Sequence, residues 1–314
     1  MKKTTTLMLM FSPFVLAQPD LNTRLADCQR IADDTARLAC YDQLEQPKVL
    51  SAQEPQKQPS QPPASELPPL LADLNEPTVF VSYGELDFLG DEKQAVLLGI
   101  GKRQLIRQFD GFAQRPLSFN VFGLIRSQFD VDQLDTRNNR GGALINTDFA
   151  VGGELVQSHE HWNWRFSYTH RSTHLGDEFL IDNPEFAEQR INLSYEVVQW
   201  QAHKPMDNWD LYAGLGLVTR SEPGNLSEVM WQAGWQYRGP EWFSRVTPLW
   251  AVDLTTWGAY DWNINLNMRA GIEINGLSQL PVQLFLEYFD GHSPYGQFFT
   301  EDLSYAGITL IQHW

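Results

Sequence analysis

The segment Trp162-Asn163-Trp164-Arg165-Phe166-Ser167-Tyr168-Thr169-His170-Arg171-Ser172 alternates without a break. Taken two residues at a time, one face carries Trp162, Trp164, Phe166 and Tyr168, and the other carries Asn163, Arg165, Ser167 and Thr169. Successive side chains of a strand point to opposite faces, so this is a two-sided strand with an aromatic side and a polar side. The aromatic face ends in His170 and Ser172, a base and a hydroxyl on the same side. Similar runs recur from residue 76 onward between turn-rich clusters. Strands are predicted at 76–84, 95–107, 117–129, 143–157, 161–172, 189–201, 208–219, 228–238, 244–256, 261–274, 281–290 and 302–314. Many reach the roughly 9–11 residues that a tilted strand needs to cross a bilayer.

The start of the chain says where such strands would go. Met1-Lys2-Lys3 is basic, Leu7 to Ala17 is largely apolar, and Val15-Leu16-Ala17 precedes Gln18. This pattern describes a secretory signal over residues 1–17. No later segment approaches the roughly 18 uncharged apolar residues of a spanning helix. Any membrane must then be crossed by strands, and a closed barrel satisfies their backbone within lipid. Residues 18–45 hold the only cysteines, Cys28 and Cys40. In an oxidising periplasm such a pair forms a disulfide. Their spacing covers about 18 Å on one straight helix, so the bridge requires two short helices turning near Asp33-Asp34-Thr35. Residues 46–69 are rich in Pro, Gln and Ser and read as an extended tether. The predicted fold is therefore all-β: an antiparallel transmembrane β-barrel of about 12 strands over residues 70–314, preceded by a helical disulfide element and a linker.

Composition agrees with that class. Aromatic content is 12%, with 11 Trp, while the mean hydropathy is mildly polar at −0.36. A polar interior, a lipid-facing band and aromatic girdles would produce this balance, and Trp257 with Tyr260 reads as a girdle residue and turn. The net charge of −16 excludes a nucleic-acid partner. Asn263, Asn265, Asn267 and Arg269 share one face, as lumenal lining or as the wall of a solute channel. Trp314 closes an alternating strand, as does the C-terminal signal that outer-membrane barrels present to the barrel-assembly machinery. With Trp314 at the periplasmic end, the short links Gly239-Pro240 and Asn275-Gly276 are periplasmic, and the longer connections 130–142, 173–188 and 291–301 lie outside. His170, Ser172, His174, His292 and Ser293 then share the outer rim of a Gram-negative outer membrane, and the N-terminal element lies in the periplasm.

Three segments carry a resemblance: Thr169-His170-Arg171-Ser172-Thr173-His174-Leu175-Gly176-Asp177-Glu178-Phe179, Arg190-Ile191-Asn192-Leu193-Ser194-Tyr195-Glu196 and Gly291-His292-Ser293-Pro294-Tyr295-Gly296-Gln297-Phe298. They look like the signature segments of DUF1207, a bacterial family of exported β proteins, and the likeness extends over roughly residues 70–314. It implies a fold and no established activity. A second resemblance is chemical. Outer-membrane phospholipase A and the lipid A deacylases carry a His-x-Ser pair on an outward-facing strand, with an Asn or Glu orienting the His. That resemblance implies His170 as base, Ser172 as nucleophile, and Asn192 as third member, with Glu178 as the alternative. On a regular strand Asn192 shares its face with Ser194 and Glu196, so lipid on the Ile191 side would turn it inward. The chain departs from the lipase pattern in placing Thr173-His174 after the Ser.

Asp177, Glu178 and Asp182 are candidate ligands for Ca²⁺, a hard cation that prefers several oxygens; the plainer reading is a solvated acidic loop. His170 and Ser172 have a plain reading too, as polar residues where a strand emerges among lipid head groups. The leading expectation is a serine acyl-ester hydrolase whose partners are membrane lipids or lipopolysaccharide, as a monomer or a homodimer. Its competitors are a non-catalytic barrel, either a small-solute channel or a structural protein, and a soluble periplasmic β protein binding lipid or glycan.

Overall fold

A computed structural model of the chain describes residues 21–45, 67–132, 142–189 and 193–313. The predicted signal, the tether over 46–66, Asn192 and Trp314 lie outside the described residues. The chain divides into two compact units, residues 1–60 and 61–314. In the first, helices α1 (Leu21–Gln29) and α2 (Asp34–Glu45) pack together. The Asp33 carboxylate accepts a hydrogen bond from the Ala36 N–H at 2.9 Å, capping α2 where the bend was expected. The Arg37 guanidinium donates to the Ile31 carbonyl at 3.0 Å across the turn. The Cys28–Cys40 disulfide closes the pair with a Cα separation of 5.6 Å.

The second unit is a closed antiparallel barrel of twelve strands. They are β1 (Val79–Phe88), β2 (Asp91–Asp110), β3 (Pro116–Asp130), β4 (Ala143–Ser158), β5 (Asn163–Leu175), β6 (Ser194–Met206), β7 (Trp209–Glu222), β8 (Val229–Arg238), β9 (Val246–Trp257), β10 (Ile264–Ile274), β11 (Val282–His292) and β12 (Asp302–Gln312). Each pairs with its sequence neighbours, and β1 closes on β12 from Val79↔Gln312 to Phe88↔Leu303. Closure removes the unpaired edges that an open sheet would present. Every predicted strand exists. The largest shift is at β6, predicted from residue 189 and beginning at Ser194, because helices α3 (Asp177–Asp182) and α4 (Glu185–Gln189) occupy the connection. Asp177 and Glu178 fill the first turn of α3, where acidic side chains suit the helix dipole.

Outward positions are apolar: Val81, Tyr83, Ile100, Val151, Phe166, Tyr168, Trp200, Trp231, Leu286 and Ile308 are all exposed. Inward positions are polar and buried, among them Asn120, Arg126, Glu154, Arg165, Gln201, Asn267, Arg269 and Glu287. Buried charges and amides need partners, and a segment preceding β1 supplies many of them. Residues 67–78 run inside the barrel and turn at Asp73–Glu76, where the Glu76 N–H donates to the Asp73 carbonyl at 3.1 Å. Leu71 N–H donates to Gln236 Oε1 at 2.9 Å, and Arg269 donates to the Leu71 carbonyl at 2.7 Å. Asn267 gives its amide to the Ala72 carbonyl at 2.8 Å, and Arg126 gives a guanidinium N–H to the Leu74 carbonyl at 2.9 Å. Glu76 lies between Arg103, at 2.5 Å, and Arg165, at 3.1 Å, and Arg103 also meets Glu154 at 2.6 Å. Residues 67–69, read as tether from composition, therefore begin a lumenal plug. Leu67 is buried and the two prolines half-buried, and the Gln236 amide donates to the Pro69 carbonyl at 3.3 Å.

The end of the barrel holding the longer connections is closed by aromatic packing. Phe298 meets Phe88 edge-on at 4.9 Å and Phe179 of α3 at 5.5 Å between ring centroids. Trp257, expected in an outer girdle, instead faces inward. It is buried against Leu193, Val218 and Phe299, and its indole N–H donates to the Ser227 carbonyl at 2.7 Å. The strand carries it past the point where the wall meets the loops, so the loops bury it.

Truncating Glu76 would leave Arg103 and Arg165 with Glu154 as their one shared carboxylate among the described residues. Glu76→Ala should destabilise the barrel by about 3–5 kcal/mol, read by urea unfolding in detergent micelles, and should raise ion conductance in planar bilayers above that of the parent protein.

Candidate active site on the outer wall

Alternation along β5 sorts its residues by face. Arg165, Ser167, Thr169 and Thr173 are buried in the lumen, and Phe166, Tyr168 and His174 are exposed outside. His170 and Ser172 share the outward parity, opposite Val151 and Phe149 of β4 and opposite Glu196 and Ser194 of β6. The strand is fixed from within. Arg171, between the two outward residues, donates to Asn75 Oδ1 of the plug at 2.6 Å, and the Thr173 hydroxyl donates to Asp148 at 2.5 Å.

Cross-strand pairing then brings Glu196 to His170. Nδ1 of His170 lies 3.4 Å from Glu196 Oε1, with the imidazole 45% exposed and the carboxylate 15% exposed. A bulge in β7 follows: Glu196 pairs with Arg220 while Val197 pairs with Val218, so Thr219 is the extra residue. Arg220 Nε lies 4.0 Å from Glu196 Oε2. A carboxylate at Nδ1 holds the imidazole in one orientation and leaves Nε2 for a second partner. Ser172 is two residues along the same face, about 6–7 Å at the backbone. Among the described residues no side-chain hydrogen bond joins it to His170; catalytic hydrogen bonds commonly tighten only in the substrate complex. His174 packs on Phe149 at 5.7 Å on the same wall.

The other predicted residues are distributed differently. Asn192 lies outside the described residues. Of the described residues that follow it, Leu193 and Tyr195 face the lumen, and Glu196 faces out beside His170. Glu178, the alternative third member, is exposed on α3, and among the described residues the carboxylate at His170 is that of Glu196. His292 pairs with Asp302 at 3.1 Å, and buried Ser293 accepts the Tyr295 N–H at 3.2 Å, so both shape a turn at the barrel mouth. Asp177, Glu178 and Asp182 lie on one short helix, where Glu178 and Asp182, four apart, share a face and Asp177 is rotated away from it. Among the described residues no group of three or more His, Cys, Asp or Glu side chains is arranged to hold a metal ion. The residue that sequence reasoning passed over is Glu196. Its parity with Ser194 was visible, but its facing of His170 depends on cross-strand register, which an intervening helical connection hides.

A family model described as "Protein of unknown function (DUF1207)" matches residues 46–314. No curated protein matches the chain. Among solved structures, outer membrane phospholipase A from Escherichia coli aligns with a TM-score of 0.54 at 10% identity, covering 79% of this chain and 94% of that one. The Salmonella typhi outer membrane phospholipase dimer with bound calcium gives 0.52 at 10% identity, covering 80% and 95%. The KdgM porin gives 0.40 at 8% identity, covering 74% and 97%. The first two similarities establish an outer-membrane-barrel type of fold and nothing of activity.

If the exposed rings of β5 meet lipid, a charge among them is costly. Phe166→Arg should destabilise the barrel by about 2–4 kcal/mol when refolded into bilayers, whereas Phe166→Leu should be nearly neutral; equal tolerance of both would place that face in water.

Proposed function

We infer that this chain, which belongs to the DUF1207 family, resides in the outer membrane of a Gram-negative bacterium and hydrolyses acyl esters of outer-leaflet phospholipid or lipid A. The observation that carries this reading is the outward-facing set of Ser172, His170 and Glu196, with His170 Nδ1 3.4 Å from the carboxylate, on an apolar wall. A soluble esterase would bring its substrate into a cleft; here a lipid already lies alongside the residues.

In the proposed reaction the Ser172 Oγ attacks the ester carbonyl carbon while His170 Nε2 takes the hydroxyl proton. The carbonyl π pair moves onto oxygen, then returns as the C–O bond to the alcohol breaks, and His170 protonates the departing alkoxide. Water then attacks acyl-Ser172, losing its proton to His170, and the bond from acyl carbon to Oγ breaks as His170 returns that proton to Ser172, releasing fatty acid. Glu196 accepts the His170 Nδ1–H throughout and stabilises the imidazolium. Arg220, beside Glu196 and 83% exposed, supplies positive charge for a lipid phosphate. The channel reading has less support, because the inward Asn267 and Arg269 bond the plug rather than line an open path. A homodimer and recognition of the C-terminal strand by the assembly machinery belong to the same proposal.

Fatty-acid release from phospholipid and lipid A micelles tests it. Ser172→Ala should abolish release with the barrel intact, and Glu196→Gln should lower the rate about 100-fold or more. Unchanged release in Ser172→Ala removes this site. A loss in Asn192→Ala but not in Glu196→Gln would assign the orienting role to Asn192. Parallel assays in Ca²⁺ and in chelator test whether acidic residues such as Asp177 and Asp182 contribute an ion.

A further inference from the structure

Inside the barrel, between the plug turn and the long connections, lies a chamber of about 140 Å³. It is separate from the outer-wall site, and its lining divides by chemistry. The lower part presents oxygens that lack donors. Asp253, 4% exposed, receives both the Tyr212 hydroxyl at 2.7 Å and the Gln232 amide at 2.8 Å on Oδ1, and among the described residues no side-chain donor reaches Oδ2. Asp73 receives only the Asn75 backbone N–H, at 2.8 Å, on one of its oxygens. Asn267, 3% exposed, gives its NH₂ to the Ala72 carbonyl at 2.8 Å and to Glu287 at 3.1 Å. Both partners are acceptors, which fixes the amide's orientation, and its buried Oδ1 is left with no partner.

The upper part is aromatic. Trp257 is flanked by Tyr195 at 5.4 Å, Phe299 at 5.6 Å and Tyr260 at 5.9 Å between ring centroids, and all four line the chamber. Two cations lie near, and both are engaged: Arg171 by Asn75, and Arg269 by Glu287 at 2.7 Å. Buried acceptors without donors carry a desolvation cost that a ligand with N–H groups or a positive charge removes. Aromatic faces attract the same charge through their quadrupoles. An anion would meet two carboxylates instead.

We propose that this chamber binds a small organic cation, a primary or quaternary ammonium compound, with its charge against Asp253 Oδ2 and Asn267 Oδ1 and its carbon atoms under the Trp257 cluster. Asp73, which also lines the chamber, adds a second carboxylate near that charge, and the rings exclude water from the alkyl side. The geometry makes the site independent of Ser172, so Ser172→Ala should bind the ligand unchanged.

The test uses the full-length protein in maltoside micelles, titrated calorimetrically with choline chloride and with ethanolamine hydrochloride. At least one should bind saturably. Asp253→Asn, which keeps an oxygen for the Tyr212 and Gln232 donors, should weaken that binding about tenfold or more. The neutral tert-butyl isostere of choline should not bind. No saturable heat with either amine would mean a chamber filled by water alone and would overturn the proposal, as would equal binding of the neutral isostere or unchanged affinity in Asp253→Asn. Should Asp253→Asn fail to fold, Tyr260→Leu on the connection after β9 serves instead: weakened binding in a folded barrel supports the site, and unchanged binding overturns it.

Discussion

The contact on which the barrel's interior depends is that of Glu76 with Arg103 and Arg165. Two guanidinium groups directed into a closed lumen are costly unless a carboxylate meets them, and Glu154 is too few to satisfy both. Glu76 arrives on a segment that is not part of the wall, so the wall and the plug are mutually dependent. The same logic extends along the lumen, where Arg269, Arg126 and Asn267 end on backbone carbonyls of residues 71, 74 and 72. Main-chain acceptors here do what water does in an open pore.

That arrangement separates two regions of the molecule. The lumen is polar, filled and braced, and the outer wall is largely apolar and carries a polar group at His170, Ser172 and Glu196. Arg171 joins them, since its neighbours in sequence face out while its guanidinium holds Asn75 within. A site built on a strand fixed from behind keeps its geometry without a surrounding cleft, which suits a substrate that diffuses in the plane of the wall.

Much of this was legible in the sequence. Strand alternation gave the number and approximate position of all twelve strands, because one face must meet an apolar medium and the other a polar one. The spacing of Cys28 and Cys40 required the bend between α1 and α2. The outward parity of His170 and Ser172 followed from counting by two. What escaped had a non-local cause. Leu67, Pro68 and Pro69 have the composition of a tether, and only the lumen gives Leu67 a buried place. Trp257 alternates like a girdle residue and is buried by loops that belong to other strands. Glu196 becomes His170's partner through register set across a connection that folds into two short helices.

The plug also has a topological property. Residues near 69 contact Gln236, close to the end of β8 where the shorter turns lie, and the chain returns to begin β1 at that same end. The segment is thus a finger inserted and withdrawn through one opening rather than a thread passed from rim to rim. Seating the finger therefore breaks no strand pairing, that of β1 with β12 included. Both rims of the cylinder keep their ladders whichever way the finger moves through that opening.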